Sequence, residues 1–534
     1  MKYMINWFRD KKRSWGILIF GIVLVQSQFA RAAGSEVLIF GRGGDSVGLD
    51  PARVTDGESF NVTDHIFDTL VTFAAGSTEV VPNLAERWEI SQDGLKYKFF
   101  LRKNVKFHDG QAFNAEAVVF SFMRQKDNKH PAYSYGSPYV YFGSLGLETL
   151  IKSINAIDEH TVEFHLTRPE APFLSSLGMQ AFAIVSPQAL LKYKQDFARN
   201  PVGTGPFRFK SWSKNQKIDL EANPEYWGEK PSLKKIIFRS IPDNSTRLLE
   251  MMSGRIHVMD NPNPDDINTL KQKMGKKINF ASQPGLNVAY LAMNNQKKPF
   301  DNIKVRQAIA FAINKKAIID AVYAGQAQVA VNPMPPTLWG YHDKIIDRKL
   351  DLDKAKALLK EAGFPNGFET TIWAMPVPRP YMPDGRKVAE AIQGDLAKIG
   401  IIAKIVSYEW GTYLDKTQRG EHDMALMGWT GDIGDPDNFL YVLLDKDNAT
   451  APAQNISFYK SEKLHKLLLD AKVNGDRNAR IKLYKEAQQV IFDDVPMIPL
   501  AHSLDVVPLL PQVKNFVIEP TGRRRFAQVR LEKE

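Results

Sequence analysis

The amino-acid sequence predicts an α/β fold built in more than one lobe, and three observations carry that prediction. Short apolar runs with strand character alternate with amphipathic helical stripes along the chain. The chain is 534 residues long and 44% hydrophobic, enough for two or three cores rather than one. That apolar content is too high for disorder, and 24% charged residues are too many for a polytopic membrane protein. In chain order, Glu36 to Phe40 is an apolar run closed by Gly41, as in a buried strand. Tyr97 to Leu101, Thr161 to Leu166, Lys235 to Ile241 and Asn287 to Met293 are further strand candidates. Val305, Ala308, Ile309, Ala312 and Ile313 fall on one face of a helix. Ala355, Leu358, Leu359 and Ala362 repeat that stripe, with Asp351 to Asp353 at its start and Gly363 at its exit. Ala479 to Phe492 predicts a late helix, and no internal repeat or low-complexity tract occurs.

Several kinds of chemistry are excluded. The chain has no cysteine, hence no disulfide, thiolate nucleophile, Cys-ligated zinc or iron–sulfur cluster. Gly44-Asp-Ser46-Val-Gly48 matches the G-x-S-x-G pattern of serine hydrolases. A nucleophile elbow must turn directly into a helix, whereas Leu49-Asp50-Pro51 follows, so a loop is expected. Ser46 also stands where a dinucleotide loop needs its third glycine. Asp432, Asp435, Asp437 and Asn438 lack EF-hand spacing and are interrupted by Pro436, so turn and capping roles are expected. The ten His residues form no recognisable ligand pair. No cofactor, no metal and no catalytic residue is expected.

Lys2, Arg9, Lys11, Lys12 and Arg13 precede an apolar run from Ile17 to Val25 and a small-residue site at Ala30-Arg31-Ala32. This is the layout of a cleavable signal peptide over residues 1–32. An apolar run of roughly ten residues is half the length of about 20 that a membrane-crossing helix needs. Without a cysteine to acylate, the exported protein is expected to be free. Removing residues 1–32 lowers the net charge from +10 to +5, with 64 basic against 59 acidic residues. No nucleic-acid partner is therefore expected, and the one short basic run, Arg523-Arg524-Arg525, reads as surface.

Leu84-Ala-Glu-Arg-Trp88, Ser91-Gln-Asp-Gly94, Tyr97-Lys-Phe-Phe-Leu-Arg102 and Val105-Lys-Phe-His-Asp-Gly110 stand close together in the N-terminal part. Asn200-Pro-Val-Gly-Thr-Gly-Pro-Phe207, Tyr226-Trp-Gly228 and Val305-Arg-Gln-Ala308 follow. Together they resemble the extracytoplasmic solute-binding proteins of family 5, which feed peptide and nickel ABC importers. Ala374-Met-Pro-Val-Pro-Arg-Pro-Tyr381, Gly428-Trp-Thr-Gly-Asp432 and Gly434-Asp-Pro-Asp-Asn-Phe439 resemble the dipeptide-binding branch in particular. The resemblance implies a two-lobed, three-domain, class II-like clamshell with a two-strand hinge at Asn287 to Met293 and Leu500 to Val506. It places domain I at residues 33–66, 170–284 and 507–534, domain II at 67–169, and domain III at 285–506.

A dipeptide is a zwitterion, so a protein that engulfs it must pair both charges or lose several kcal/mol. The resemblance assigns Asp432 to the ammonium and Arg379, stiffened by Pro376, Pro378 and Pro380, to the carboxylate. The alternative is that Arg379 and Asp432 pair with each other or face water. Trp410 and Trp429 are aromatic candidates, and Tyr139 and Tyr141 resemble a ligand-facing segment of the opposite lobe; each could instead be core. Thr55, Asp56 and Gly57 are candidates for main-chain contacts, although Asp56 and Glu58 bring acidic charge where small neutral residues are expected.

The function implied is that of a periplasmic substrate-binding component of a peptide ABC importer. It would capture dipeptides by lobe closure and deliver them to an inner-membrane permease with cytoplasmic ATPases. A monomer is expected, with a chemoreceptor as a further class of partner. The same fold could carry a murein tripeptide, haem, aminolevulinic acid or a metal chelate. From other classes, a hydrolase using Ser46 or a chaperone remains open.

Overall fold

The apolar run after Glu36 forms β1 (Val37–Arg42), with parallel partners on both sides, Lys235–Ser240 and Val258–Met259. The computed structural model containing it describes residues 36–532 except residue 137, so the signal peptide expected at 1–32 lies outside the described residues. A twelve-stranded sheet runs through the molecule. β1 and its neighbours make one half. The other half is built around β3 (Asn287–Met293), whose seven residues are all buried, and β4 (Met424–Thr430), paired with it along its whole length. Parallel strands Glu369–Trp373 and Ile402–Val406 extend that half to its edge. A separate four-stranded antiparallel sheet, containing Lys96–Leu101 and Thr161–Leu166, belongs to the first lobe.

The chain passes between the halves at two places. β2 (Asn279–Pro284) is separated from β3 by Gly285 and Leu286. β5 (Met497–Leu509) is thirteen residues long and pairs with both: its distal end with β2 (Leu504 opposite Pro284), its proximal end with β3 (Ala501 opposite Ala289). Leu500 to Val506, the expected hinge segment, lies inside β5. Between β2 and β3 a side chain joins the backbone bond from Gly285 N to Ser503 O in carrying the ladder. Asn287 Oδ1 accepts from Ser503 N at 2.9 Å and its Nδ2 donates to Ser503 O at 3.1 Å. A Cβ on Gly285 would lie 2.0 Å from that Nδ2, so only glycine lets the amide bridge the strands.

The periodic stripes are helices with side-chain caps. Ile303–Ala312 is capped by Asn302, Leu352–Glu361 by Asp351, and the late helix spans Arg477–Asp494. Around the cleft stand α1 (Gly57–Ile66), capped by Asp56, and α2 (Trp410–Gln418), capped by Glu409. They are followed by α3 (Asp437–Leu444) and α4 (Glu462–Val473).

One expectation fails. Arg523-Arg524-Arg525 is not a surface run. Arg523 grips Asp64, Arg525 donates to Thr72 Oγ1 and Phe73 O, and Arg524, 1% exposed, donates to Asp505 at 2.7 and 2.8 Å and to Asp260 at 3.0 Å. Three consecutive residues of an irregular segment point in different directions, and each finds an acceptor supplied by a distant part of the chain. Arg524 thereby ties the C-terminal tail to β5. Arg524→Met would leave two buried carboxylates without their cation, and a loss of about 3–5 kcal/mol in unfolding free energy is expected in urea denaturation.

Candidate functional site

A cleft lies between the lobes, with about 1220 Å³ of atom-free space including its opening to solvent. Seven of the eight residues expected at the site line it: Thr55, Gly57, Tyr141, Arg379, Trp410, Trp429 and Asp432. Tyr139 does not. It is buried away from the cleft, packs on Tyr133 and donates its hydroxyl proton among the carbonyls of Ala132 and Tyr133. Two residues on, Tyr141 is carried round to the cleft by a single turn of helix.

Asp432 follows β4 through Gly431, whose N–H donates to Leu286 O. Its backbone N–H donates to Asn438 Oδ1 at 2.8 Å, and the Trp429 indole N–H donates to the same oxygen at 3.0 Å. Asn438, at the first turn of α3, therefore sets the positions of both. Tyr141, from the opposite lobe, donates its hydroxyl to Asp432 Oδ2 at 3.1 Å. Burial pushes the Asp432 carboxyl up to about 7, against the lowering effect of the Tyr141 and Asn438 hydrogen bonds. Among the described residues the carboxylate has hydrogen-bond donors but no salt bridge within 4 Å; the nearest cationic influence, from Arg523, acts from beyond that distance. A cation placed beside it would be strongly favoured.

Arg379 sits in a loop closed by reciprocal backbone hydrogen bonds with Met382 and tied to the hinge by Ser503 Oγ, which donates to Pro380 O at 2.6 Å. It neither pairs with Asp432 nor faces water. Its Nη1 lies 2.9 Å from Glu58 Oε1 across the lobes, and its guanidinium stands 4.6 Å from the centre of the Trp410 ring. Glu58 is shared: Arg42 Nη1 lies 3.6 Å from its Oε2 and donates to its backbone carbonyl. Burial raises the Glu58 carboxyl while Arg379 and Arg42 oppose the rise. Among the described residues, Arg379 Nη2 has no hydrogen-bond partner. The acidic departure at Glu58 is thus the counter-ion that holds Arg379 in the closed cleft while leaving one fork of the guanidinium unused.

Sequence reasoning missed Gln180, Asn261, Tyr381 and Gln454, which also line the cleft. Only Tyr381 carried a signal, as the end of the Ala374 to Tyr381 segment. A Cβ on Gly428 would lie 2.1 Å from its ring, so the glycine before Trp429 is there to admit Tyr381. In the acidic cluster, Asp435 accepts from Asp437 N in a turn, as expected, but it also pairs with Arg480 at 2.8 Å. Capping explains only part of that cluster. Asp437 faces Lys472, whose Nζ lies 3.6 Å from Asp437 Oδ2 and 3.1 Å from Glu170 Oε1 of the first lobe.

Residues 79–451 match the family model of bacterial extracellular solute-binding proteins, family 5 Middle. The chain is 44% identical over 530 residues to the dipeptide-binding protein of Escherichia coli, covering 97% of this chain and 98% of that one. It is 40% identical over 516 residues to heme-binding protein A of Haemophilus influenzae, covering 94% of each. Among solved structures, the periplasmic binding protein DppA of Helicobacter pylori, in complex with the peptide STSA, superposes with a TM-score of 0.88 at 46% identity. That match covers 93% of this chain and 98% of that one. With its two lobes joined at two strand crossings and its cleft between them, this chain belongs to the bacterial extracellular solute-binding proteins of family 5.

Proposed function

We propose that the chain is the substrate-binding component of a peptide ABC importer and captures dipeptides and other short peptides between its lobes. The observation that carries this reading is the pair of unlike charges in one cleft: Asp432, held by neutral donors alone, and Arg379, with Nη2 unused. A free peptide offers the ammonium and the carboxylate that would pair them. The peptide-binding relatives in Escherichia coli and Helicobacter pylori support it. Thr55 and Gly57 supply main chain to the peptide, Trp429 and Tyr141 flank its amino end, and Trp410 its carboxyl end. The crossings at β2–β3 and β5 support the division into domains I (33–66, 170–284, 507–534), II (67–169) and III (285–506).

The protein acts in the periplasm after removal of its signal peptide. It hands its cargo as a monomer to an inner-membrane permease with cytoplasmic ATPases, and a chemoreceptor is a further partner of the closed form. Binding without turnover is supported by Ser46, whose Oγ is held between Glu58 O at 3.0 Å and Arg42 Nη1 at 3.1 Å, the setting of a structural hydroxyl. Haem is the second reading, favoured by the Haemophilus influenzae relative, although no histidine stands among the residues lining the cleft.

The deciding experiment is calorimetry on the mature protein with free, N-acetylated and C-amidated forms of one dipeptide. The free form should bind tightly and each blocked form at least tenfold more weakly. Equal binding of all three would end the reading. Arg379→Ala should cost free dipeptides at least tenfold while narrowing the gap between acid and amide. Haem, titrated and followed by its absorption band, should compete poorly with peptide.

A further inference from the structure

The turn that carries Arg379 is held from behind by the hinge. Arg379 and Met382 exchange backbone hydrogen bonds at 3.0 Å, which puts Pro380 and Tyr381 at the tip with their carbonyls outside the turn's own bonding. Each carbonyl finds its donor elsewhere. Tyr381 O accepts from the hydroxyl of the buried Tyr323 at 2.8 Å, within the second lobe. Pro380 O accepts from Ser503 Oγ at 2.6 Å, and among the described residues no other donor reaches it. Ser503 stands where the two crossings meet. Its N–H donates to Asn287 Oδ1, its carbonyl accepts from Gly285 N at 3.2 Å and Asn287 Nδ2 at 3.1 Å, and its hydroxyl also lies 3.3 Å from Asn287 Oδ1. Every polar group of this buried residue thus engages the first crossing or the Arg379 turn. Prolines at 378 and 380 fix φ on both sides of Arg379, so a displacement of Pro380 O is passed to the guanidinium rather than absorbed by the loop. The turn also divides two spaces. Arg379 and Pro380 line the ligand cleft in front and, behind, a smaller cavity of about 350 Å³ including its opening, walled by Tyr323, Pro383 and Ser503. With space on both sides, the turn takes its position from its two anchors.

We propose that Ser503 is a positioning residue: its hydroxyl sets the Arg379 turn to the angle of the hinge, so that the guanidinium is aligned for a ligand carboxylate when the lobes are closed. The proposal rests on the peptide reading of the cleft, in which Arg379 holds that carboxylate. Ser503 is not among the residues lining the cleft and acts through the turn alone. In front, Glu58 of the first lobe holds Nη1 at 2.9 Å; behind, Ser503 holds the backbone, and together they fix where Nη2 points. Rotation about the crossings moves Ser503 relative to Tyr323, and a turn tied to both must tilt. Removing the hydroxyl frees Pro380 O from the hinge, and Arg379 then keeps its charge but loses its alignment.

Calorimetry with alanyl-alanine and its C-terminal amide, on wild type and three variants, tests this directly. Ser503→Ala should weaken the free acid about five- to tenfold, the worth of one buried hydrogen bond, while changing the amide by less than about twofold. Ser503→Thr keeps the hydroxyl and should restore the gap between acid and amide. Tyr323→Phe removes the other anchor, lies outside the hinge, and should narrow the same gap. Urea denaturation of each variant separates alignment from stability, because a merely structural serine would weaken acid and amide alike and in step with the loss of folding free energy. That result, an acid affinity within twofold of wild type in Ser503→Ala, or a Ser503→Thr variant as impaired as Ser503→Ala would each overturn the proposal alone. Equal binding of acid and amide by the wild type would overturn the peptide reading, and this proposal with it.

Discussion

Asp432→Asn is expected to weaken capture of a free dipeptide by about 2–4 kcal/mol, roughly 30- to 1000-fold in Kd. The substitution keeps the size of the side chain but removes the charge proposed to face the ligand ammonium. The wild-type protein should also show a characteristic pH profile. In the closed cleft without ligand, burial raises the Asp432 carboxyl to about 7, and a ligand ammonium would pull it down again. Binding below pH 7 therefore requires loss of a proton from Asp432. The Kd should rise about tenfold per unit as pH falls from 7 toward the lower pKa of the bound state. Above about pH 8 the peptide's own amino group loses its charge, so affinity should fall again. Asp432→Asn should abolish the acid limb and leave the alkaline one. A wild-type Kd constant from pH 5 to 7.5 would show that Asp432 does not hold the ammonium.

Lys472→Met is expected to produce an effect of similar size without touching the cleft. Lys472 is 1% exposed and stands between Glu170 of the first lobe and Asp437 of the second, with its ammonium 3.5 Å from the centre of the Tyr441 ring. The neighbouring backbone reinforces the contact, since Ala171 N donates to Lys472 O at 2.8 Å. Opening the lobes separates Glu170 from Lys472. Removing the cation leaves Asp437 buried against Glu170, whose remaining partner is Arg168 at 3.5 Å, in the closed form alone. Breaking a buried pair in this way costs about 3–5 kcal/mol. Most of that cost should appear as a shift toward the open form, and apparent affinity should fall with the closed population. Solution scattering should show a liganded variant more extended than the liganded wild type. The loss should shrink at acid pH, because burial already pushes the Asp437 carboxyl up to about 7 and protonation removes the repulsion. Equal scattering profiles with unchanged affinity would show that this contact does not govern closure.

Local pattern carried much of the fold. The strands Thr161–Leu166 and Asn287–Met293 coincide with their apolar runs, and the helix Leu352–Glu361 begins at the Asp351 cap its sequence announces. These elements are legible because alternation, helical spacing and capping are properties of neighbouring residues. The length of β5 was not: only its pairing with both β2 and β3 shows that the segment expected at Leu500 to Val506 is the middle of a longer strand. Within the site, Tyr139 and Tyr141 looked alike from the sequence. One turn of helix sends Tyr141 toward Asp432 and Tyr139 into the core, a difference that two positions of identical chemistry cannot reveal.

What the sequence determined by itself was the order and kind of elements, the absence of thiol chemistry, and the two charged segments around Arg379 and Asp432. These depend on residue type and short-range spacing. Tertiary structure alone decided which charges compensate which. Glu58 is 321 residues from Arg379, Asp64 is 459 from Arg523 and Asp260 is 264 from Arg524, yet each pair meets inside the closed molecule. Coulomb attraction acts through space, whereas composition records only how many charges a chain carries. For that reason three adjacent arginines could read as solvated surface and prove to be internal ties. For the same reason an unwelcome glutamate became the partner that holds the cleft's arginine in place.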